Sequence, residues 1–287
     1  MSIELTLWAA SVKALDFDER IRAARAGGFT ATSLFPFEVR EAEQAGIGMR
    51  ELRERFESAG VRIAVVDPLA RWLPTWKRPQ LPPGDPALGD FEPEALFAMS
   101  EALGADLLSV LALFDPPVEP AAGAAAFAAL CDHAAEHGLR LQLEFIPGTG
   151  IPDLAIAWEI VRLADRSNGG LLLDSWHFFR SAPDFELLAS IPAERIFALQ
   201  LEDAPLLAAA DVAHESLHAR LLPGEGELAL ARFLDAMPGA ELPTLSGPEV
   251  FSDELSLRYT PEELGERLAQ TTRTMLAGRN PSGYKYT

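Results

Sequence analysis

The stretch Gly169–His177, GGLLLDSWH, decides how the rest of the chain reads. Two glycines lead into three leucines, then come an aspartate and, three positions later, a histidine. A short, wholly apolar run bounded by glycine predicts a strand buried on both faces, the setting of a parallel sheet. A carboxylate at the C-terminal end of such a strand adds nothing to stability by itself, and burying it without a partner is costly. Asp174 therefore predicts a partner, and His177 beside it makes a metal ion, a substrate or both the expected one.

Outward from this strand, the same alternation repeats along the chain. Further strands are expected at Ile3–Ala10, Phe29–Phe35, Val61–Asp67, Asp106–Phe114, Leu139–Ile146, Ile196–Leu201 and Thr244–Phe251. Helices are expected between and after them, at Asp16–Ala26, Glu41–Ala59, Pro93–Leu103, Pro120–His137, Pro152–Arg166, Phe185–Ala189, Glu227–Met237 and Pro261–Leu276. Asp16 suits an N-cap, and Gly27–Gly28, Gly60 and Gly138 suit helix stops. Strands alternating with helices predict parallel pairing through right-handed crossovers. Eight such units in 287 residues fit an α/β protein of the single-domain (β/α)8 TIM barrel type better than an open doubly wound sheet. No GxGxxG follows the first strand, which weighs against a dinucleotide fold. The barrel is expected over residues 1–279, with 280–287 a polar tail that is frayed or an oligomer contact. Arg71–Pro86, with Trp72, Trp76 and several prolines, is too long for a tight connection and is expected to be a functional or covering loop.

Composition narrows the function. A net charge of −19 opposes a nucleic-acid binder, which needs clustered Lys and Arg, and opposes an anionic membrane surface. Cys131 is the only cysteine, so neither an intrachain disulfide nor a Cys-based zinc site is available. The N-terminus carries no secretory pattern and no stretch approaches a membrane span, so a cytoplasmic enzyme acting on a small molecule is expected.

In a barrel of this kind, chemistry collects at the C-terminal ends of strands. Those ends carry Glu144 (LQLEF), Asp174 (LLLDSWH), Gln200 (FALQLED) and Glu249 (SGPEVF). Three converging carboxylates cannot all stay ionised without a cation. Oxygen donors favour Mg2+ or Mn2+, with Co2+ or Zn2+ as further candidates. Each carboxylate taken alone could equally form a salt bridge; matching positions on four successive strands make a shared ion the better reading. His177 is a candidate substrate contact and proton carrier, the alternative being a packed side chain. Trp8, at the end of the first strand, is a candidate apolar wall or a core residue. Asp67 and Arg71 are weaker candidates for holding a polar or anionic substrate group. Glu202 and Asp203 read as support for the metal or as solvated surface. His214 and His218 read as a solvated loop helix, and His133 and His137 as histidines at a helix C-terminus. No phosphate cradle is evident, which favours an unphosphorylated substrate.

The run LEFIPG…LLLDSWHFFR…IFALQLEDA…RLLPGEGE…PEVFS resembles the sugar phosphate isomerase/epimerase family, the xylose-isomerase-like TIM barrels. The similarity is clearest over residues 139–251. It implies that Glu144, Asp174 and Glu249 are metal ligands and that His177 contacts substrate oxygens. Arg220, just before the PGEG turn, falls near a substrate-binding or anchoring position. The fourth ligand of the family is often histidine. Gln200 stands there instead, as in the metal-dependent 3-dehydroshikimate dehydratases that this arrangement resembles.

The chemistry expected of such a site is enolisation of a hydroxyketone, with Glu144 and Glu249 as general base and acid. Return of the proton to the opposite face gives epimerisation, return to the adjacent carbon gives isomerisation, and loss of a β-hydroxyl gives dehydration. An isomerase or epimerase of carbohydrate metabolism, working through an enediolate, is the first expectation. A lyase of 3-dehydroshikimate type is the second, and a non-catalytic binding barrel the third.

Overall fold

The computed structural model describes residues 3–77, 90–113, 115–239 and 241–279. Part of the proline-rich segment, Phe114 and the expected tail lie outside the described residues.

Eight strands close into one barrel in sequence order. They are β1 (Glu4–Leu7), β2 (Ala31–Leu34), β3 (Arg62–Leu69), β4 (Leu107–Val110), β5 (Arg140–Leu143), β6 (Gly169–Asp174), β7 (Ile196–Leu201) and β8 (Leu245–Pro248). Every neighbouring pair is parallel, including the β1–β8 seam. Helices follow the strands: α1 (Phe17–Gly27), α2 (Pro36–Gln44), α3 (Met49–Ser58), α4 (Pro93–Leu103), α5 (Pro120–Glu136), α6 (Leu154–Ala164), α7 (Ser175–Arg180), α8 (Phe185–Ser190), α9 (Val212–His218), α10 (Leu230–Ala236), α11 (Asp253–Arg258) and α12 (Pro261–Ala277). The expected α/β architecture, a single-domain (β/α)8 TIM barrel, is the observed one.

The caps explain where the helices begin. Asp16 and Glu19 form a reciprocal capping box on α1, and Thr260 with Glu263 does the same on α12. Proline opens α4, α5 and α12, where its missing N–H costs nothing. The one long helix expected over Glu41–Ala59 is two. Gly46 adopts φ +91 and Gly48 caps α3, so AGIG turns the chain between α2 and α3. The helix expected from Glu227 begins only at Leu230, because the amides of Glu227 and Leu228 donate to the Ala204 carbonyl and the Asp203 carboxylate instead.

Strand periodicity places the site. Leu171, Leu173, Leu199, Leu201, Leu141 and Leu143 join the large apolar cluster that also contains helix residues. Their alternates Leu172, Ala198 and Leu245 pack in a second cluster with Trp8, Ala64 and Leu107, which fills the barrel. Side chains on one strand face share a period of two. The inward set therefore continues through Gln142 and Glu144, Leu172 and Asp174, Ala198 and Gln200, Leu245 and Glu249. Two glycines permit close approaches that no other residue could. A Cβ on Gly247 would lie 1.7 Å from the Thr6 carbonyl oxygen across the β1–β8 seam, and one on Gly265 would lie 1.9 Å from that of Ala23, where α12 crosses α1.

Among the described residues no helix is long and apolar enough to cross a membrane.

Candidate metal centre

β6 and β7 set the register of the site, since Asp174 pairs directly with Gln200. Glu144 and Glu249 stand just past the ends of β5 and β8, so four successive strands deliver the four residues. All four are buried, Asp174 and Gln200 with no exposed surface.

The backbone turns sharply after Asp174. Its Oδ1 accepts the His177 amide at 2.6 Å and so caps α7. That turn brings His177 back over the strand end. His177 Nε2 lies 3.3 Å from Glu144 Oε1 and 3.4 Å from Asp174 Oδ2. Among the described residues, Glu144, Asp174 and His177 form the group of acidic and histidine side chains able to hold a metal ion, with ligand atoms within 4.8 Å of one another. Glu249 is outside that group, although its carboxyl feels the charges of Asp67, Glu144 and Asp174.

Clustered buried acids dominate the electrostatics of this group. Desolvation, then the charges of Asp67 and Asp174, pushes the Glu144 carboxyl well above the usual carboxylate range. Desolvation, then Asp67, Glu144 and Asp174, does the same to Glu249. Asp174 is the exception. Desolvation would raise it, but His177 and Arg220 outweigh that and hold it down at about 2. Burial pushes His177 down to about 3, so its imidazole is neutral near pH 7 and can lend a nitrogen lone pair. Both polar atoms of the Gln200 amide are buried and find no hydrogen-bond partner among the described residues. Orphaned amides of this kind are rare in native interiors. A divalent cation would satisfy the Gln200 carbonyl oxygen and compensate the clustered acids, so the residues present fit the ion.

Around this group lies a second layer. Arg220 Nη1 reaches Asp174 Oδ2 at 2.8 Å and lies 3.7 Å from Glu202 Oε1. The Arg220 guanidinium is sandwiched between the rings of Trp176 and Phe251, 4.9 Å from each centroid. Glu202 is fully buried, and its Oε1 accepts from the Trp176 amide and the Ser175 hydroxyl. Asp203 is buried too and holds the PGEGE turn, accepting from the amides of Ala204, Gly224 and Leu228. The alternating pattern that marks Gln200 also points Glu202 inward, and of the two readings of Glu202 and Asp203, burial beside the site is the observed one and solvated surface is not.

Asp67 joins the same chamber, in the field of Asp174, with its carboxyl hydrogen-bonded to Ser109 and pushed up to about 7, chiefly by desolvation. Trp8 is fully buried in the barrel, and its indole N–H has no hydrogen-bond partner among the described residues. Arg71 points elsewhere: it pairs with Glu92 at 2.6 Å and Asp90 at 3.9 Å and stacks on Trp76. His137 pairs with Glu101, and His218 pairs with Asp253 while stacking on His214; all lie away from the barrel centre.

The sequence pattern of the xylose isomerase-like TIM barrel family matches residues 21–275. The chain belongs to that family. Family relatives carry different activities. Over 271 residues the chain is 32% identical to 3-dehydroshikimate dehydratase of Pseudomonas aeruginosa, covering 88% of this chain and 41% of that protein. It is 29% identical over 145 residues to inosose isomerase of Bacillus subtilis, covering 50% of this chain and 51% of that one. The chain thus spans two fifths to half the length of these relatives. Among solved structures, the IOLI protein with a bound zinc atom superposes with a TM-score of 0.81 at 18% identity, covering 96% of this chain and 98% of that one. A fusion of a xylose isomerase-like barrel with a 4-hydroxyphenylpyruvate dioxygenase superposes with a TM-score of 0.74 at 26% identity, covering 96% of this chain and 42% of that one. Family members are enzymes of isomerase, epimerase and dehydratase type, and a divalent metal suits the site.

Proposed function

We propose that the protein is a divalent-metal-dependent lyase that dehydrates a cyclic hydroxyketone of the 3-dehydroshikimate class. Gln200 carries this reading. It is a neutral amide, buried beside Asp174 and without a hydrogen-bond partner among the described residues, in a chain of which 88% matches a dehydratase relative. The proposed ligands are Glu144, Asp174, Gln200 and Glu249, with His177 close enough to Glu144 and Asp174 to be a ligand or a proton carrier. A bound divalent cation supplies Lewis-acid polarisation of the substrate carbonyl and neutralises the acidic cluster.

The proton chemistry belongs to the side chains. Glu144, just past β5, and Glu249, just past β8, stand on either side of β6 and β7, flanking Asp174 and Gln200. One carboxylate takes the proton from the carbon beside the carbonyl. The electron pair left behind forms the new C=C bond as the β-hydroxyl departs. The proton taken by that carboxylate is handed on to the departing hydroxyl, so water leaves and both glutamates end the step ionised. Neutral His177, 3.3 Å from Glu144, can carry a proton to or from that carboxylate. Asp67 and the Trp8 indole N–H offer an acceptor and a donor to substrate hydroxyls.

Isomerisation or epimerisation of a neutral ring ketone is the second reading. Inosose isomerase relatives favour it, and so does the use of nearby cations: Arg220 is engaged with Asp174 and Arg71 with Glu92. 3-Dehydroshikimate is a carboxylate, whereas inososes are uncharged. Incubation of the Mn2+-loaded protein with each compound in deuterated water separates the two. A growing enone or aromatic ultraviolet band with 3-dehydroshikimate supports the lyase. Deuterium incorporation into an inosose without such a band supports the isomerase and overturns the lyase.

A further inference from the structure

The βα7 connection, residues 202–220, returns over the barrel mouth and ends at Arg220. Its middle carries a buried carboxylate that the chemistry above does not use. Glu215, on α9, is 3% exposed. Glu215 Oε1 accepts from Trp176 Nε1 at 2.8 Å and from Arg180 Nε at 2.6 Å. Its Oε2 accepts the Ala209 amide at 2.7 Å. Arg180 also donates to the Pro205 carbonyl at 2.6 Å. One carboxylate thus ties α9 and the start of the connection to α7, the helix that carries His177.

These bonds converge on one ring. The Trp176 edge is fixed by Glu215, and its face lies 4.9 Å from the Arg220 guanidinium. Arg220 donates from Nε to the Ser216 carbonyl, one residue beyond Glu215, and from Nη1 to Asp174. The path Glu215–Trp176–Arg220–Asp174 is continuous and buried throughout.

We propose that Glu215 is a positioning residue: it latches the βα7 connection to α7, so that Trp176 and Arg220 hold Asp174 in its ligand orientation. Groups behind metal ligands commonly fix their orientation, and their loss weakens the site without touching the ion. An ordinary structural carboxylate would give a different signature, because its removal would not depend on whether Arg220 is present.

Two measurements test the latch. In metal-free Glu215→Gln, amide exchange at His177 and Arg220 should accelerate by about 10-fold or more, as a local opening predicts. Acceleration confined to Ala209 overturns the proposal. The second measurement, which rests on the metal-centre reading, is Mn2+ binding by calorimetry. Glu215→Gln should shift the Mn2+ dissociation constant about 3-fold or more in the same direction as Arg220→Gln, and the double variant should bind as Arg220→Gln alone does. An unchanged constant, or shifts that add in the double variant, overturns it. Arg180→Lys keeps the charge but loses the forked geometry. It should shift Mn2+ binding in the same direction, and no shift counts against the latch. If the wild-type protein takes up no Mn2+, the metal-centre reading fails and amide exchange alone decides the latch.

Discussion

Arg220 and Asp174 are 46 positions apart in the chain, yet their charged atoms meet at 2.8 Å with both side chains shielded from water. A buried pair of this kind is not a net source of stability, because both desolvation costs must be met. Its value lies in fixing one carboxylate in its charged form, while Glu144 and Glu249 are driven toward protonation.

Breaking that pair is expected to be expensive. Arg220→Met leaves Asp174 facing Glu202 without a counter-charge, and metal-free stability should fall by about 3 kcal/mol in urea denaturation. Mn2+ should then raise the variant's Tm by less than it raises the wild type's, because Asp174 is no longer held in its ligand orientation. Equal metal-induced shifts would mean that the cation and Arg220 do not share Asp174.

Gln200→Ala removes the unbonded amide and leaves the acids in place. Mn2+ affinity should drop by about 10-fold or more, with the circular dichroism spectrum unchanged. Undiminished Mn2+ affinity would remove Gln200 from the ligand set, and with it the main support for the lyase reading.

Asp67 gives a pH signature in the metal-free protein. Its folded carboxyl sits at about 7 against an ordinary 3.8, so the folded chain binds more protons than the unfolded chain between those values. Its contribution to stability is complete below the ordinary value and is lost as pH rises through about 7. Asp67→Asn should therefore flatten the decline of Tm from about pH 5 to about pH 8. His177 and Asp174 act oppositely, since both are held below their ordinary values. Their contributions are present at neutral pH and lost on acidification toward about 3 and about 2.

Metal uptake should release protons. Glu144 and Glu249 are raised well above the carboxylate range without a cation and must be ionised to ligate one. Calorimetric titration with Mn2+ at about pH 6, in buffers of different ionisation enthalpy, should show protons leaving the protein, and affinity should climb with pH. Buffer-independent heats would show that these carboxyls do not charge on binding.

Gly247 and Gly265 test the seams. An added methyl meets a backbone oxygen at each, so Gly247→Ala and Gly265→Ala should each cost about 3 kcal/mol, the upper range for overpacking. Wild-type stability in either variant would mean that the seam can open without strain.

Residue pattern carried much of this. Alternating strands and helices, with caps at Asp16 and stops at Gly28, predicted eight parallel units, and the closed barrel has them. Placement of Glu144, Asp174, Gln200 and Glu249 at strand ends followed from the same period. The split at Gly46 was not legible, since charged residues run through both halves and a glycine within a helical pattern is often tolerated. Nor was the helix α7: Asp174 caps it through the His177 amide, but the same residue ends β6, and the short run behind it carries no helical period of its own.

Local sequence determined which residues lie inward at each strand end, because a period of two leaves no choice once one face is apolar. Tertiary structure alone decided what those residues meet. It swung His177 against Glu144, turned Arg71 out to Glu92, and buried Glu202, Asp203 and Glu215 beneath the returning connection. Each of those outcomes depends on loop paths between elements distant in the chain, and a charge in a loop shows its burial only when the partner that compensates it has been brought alongside.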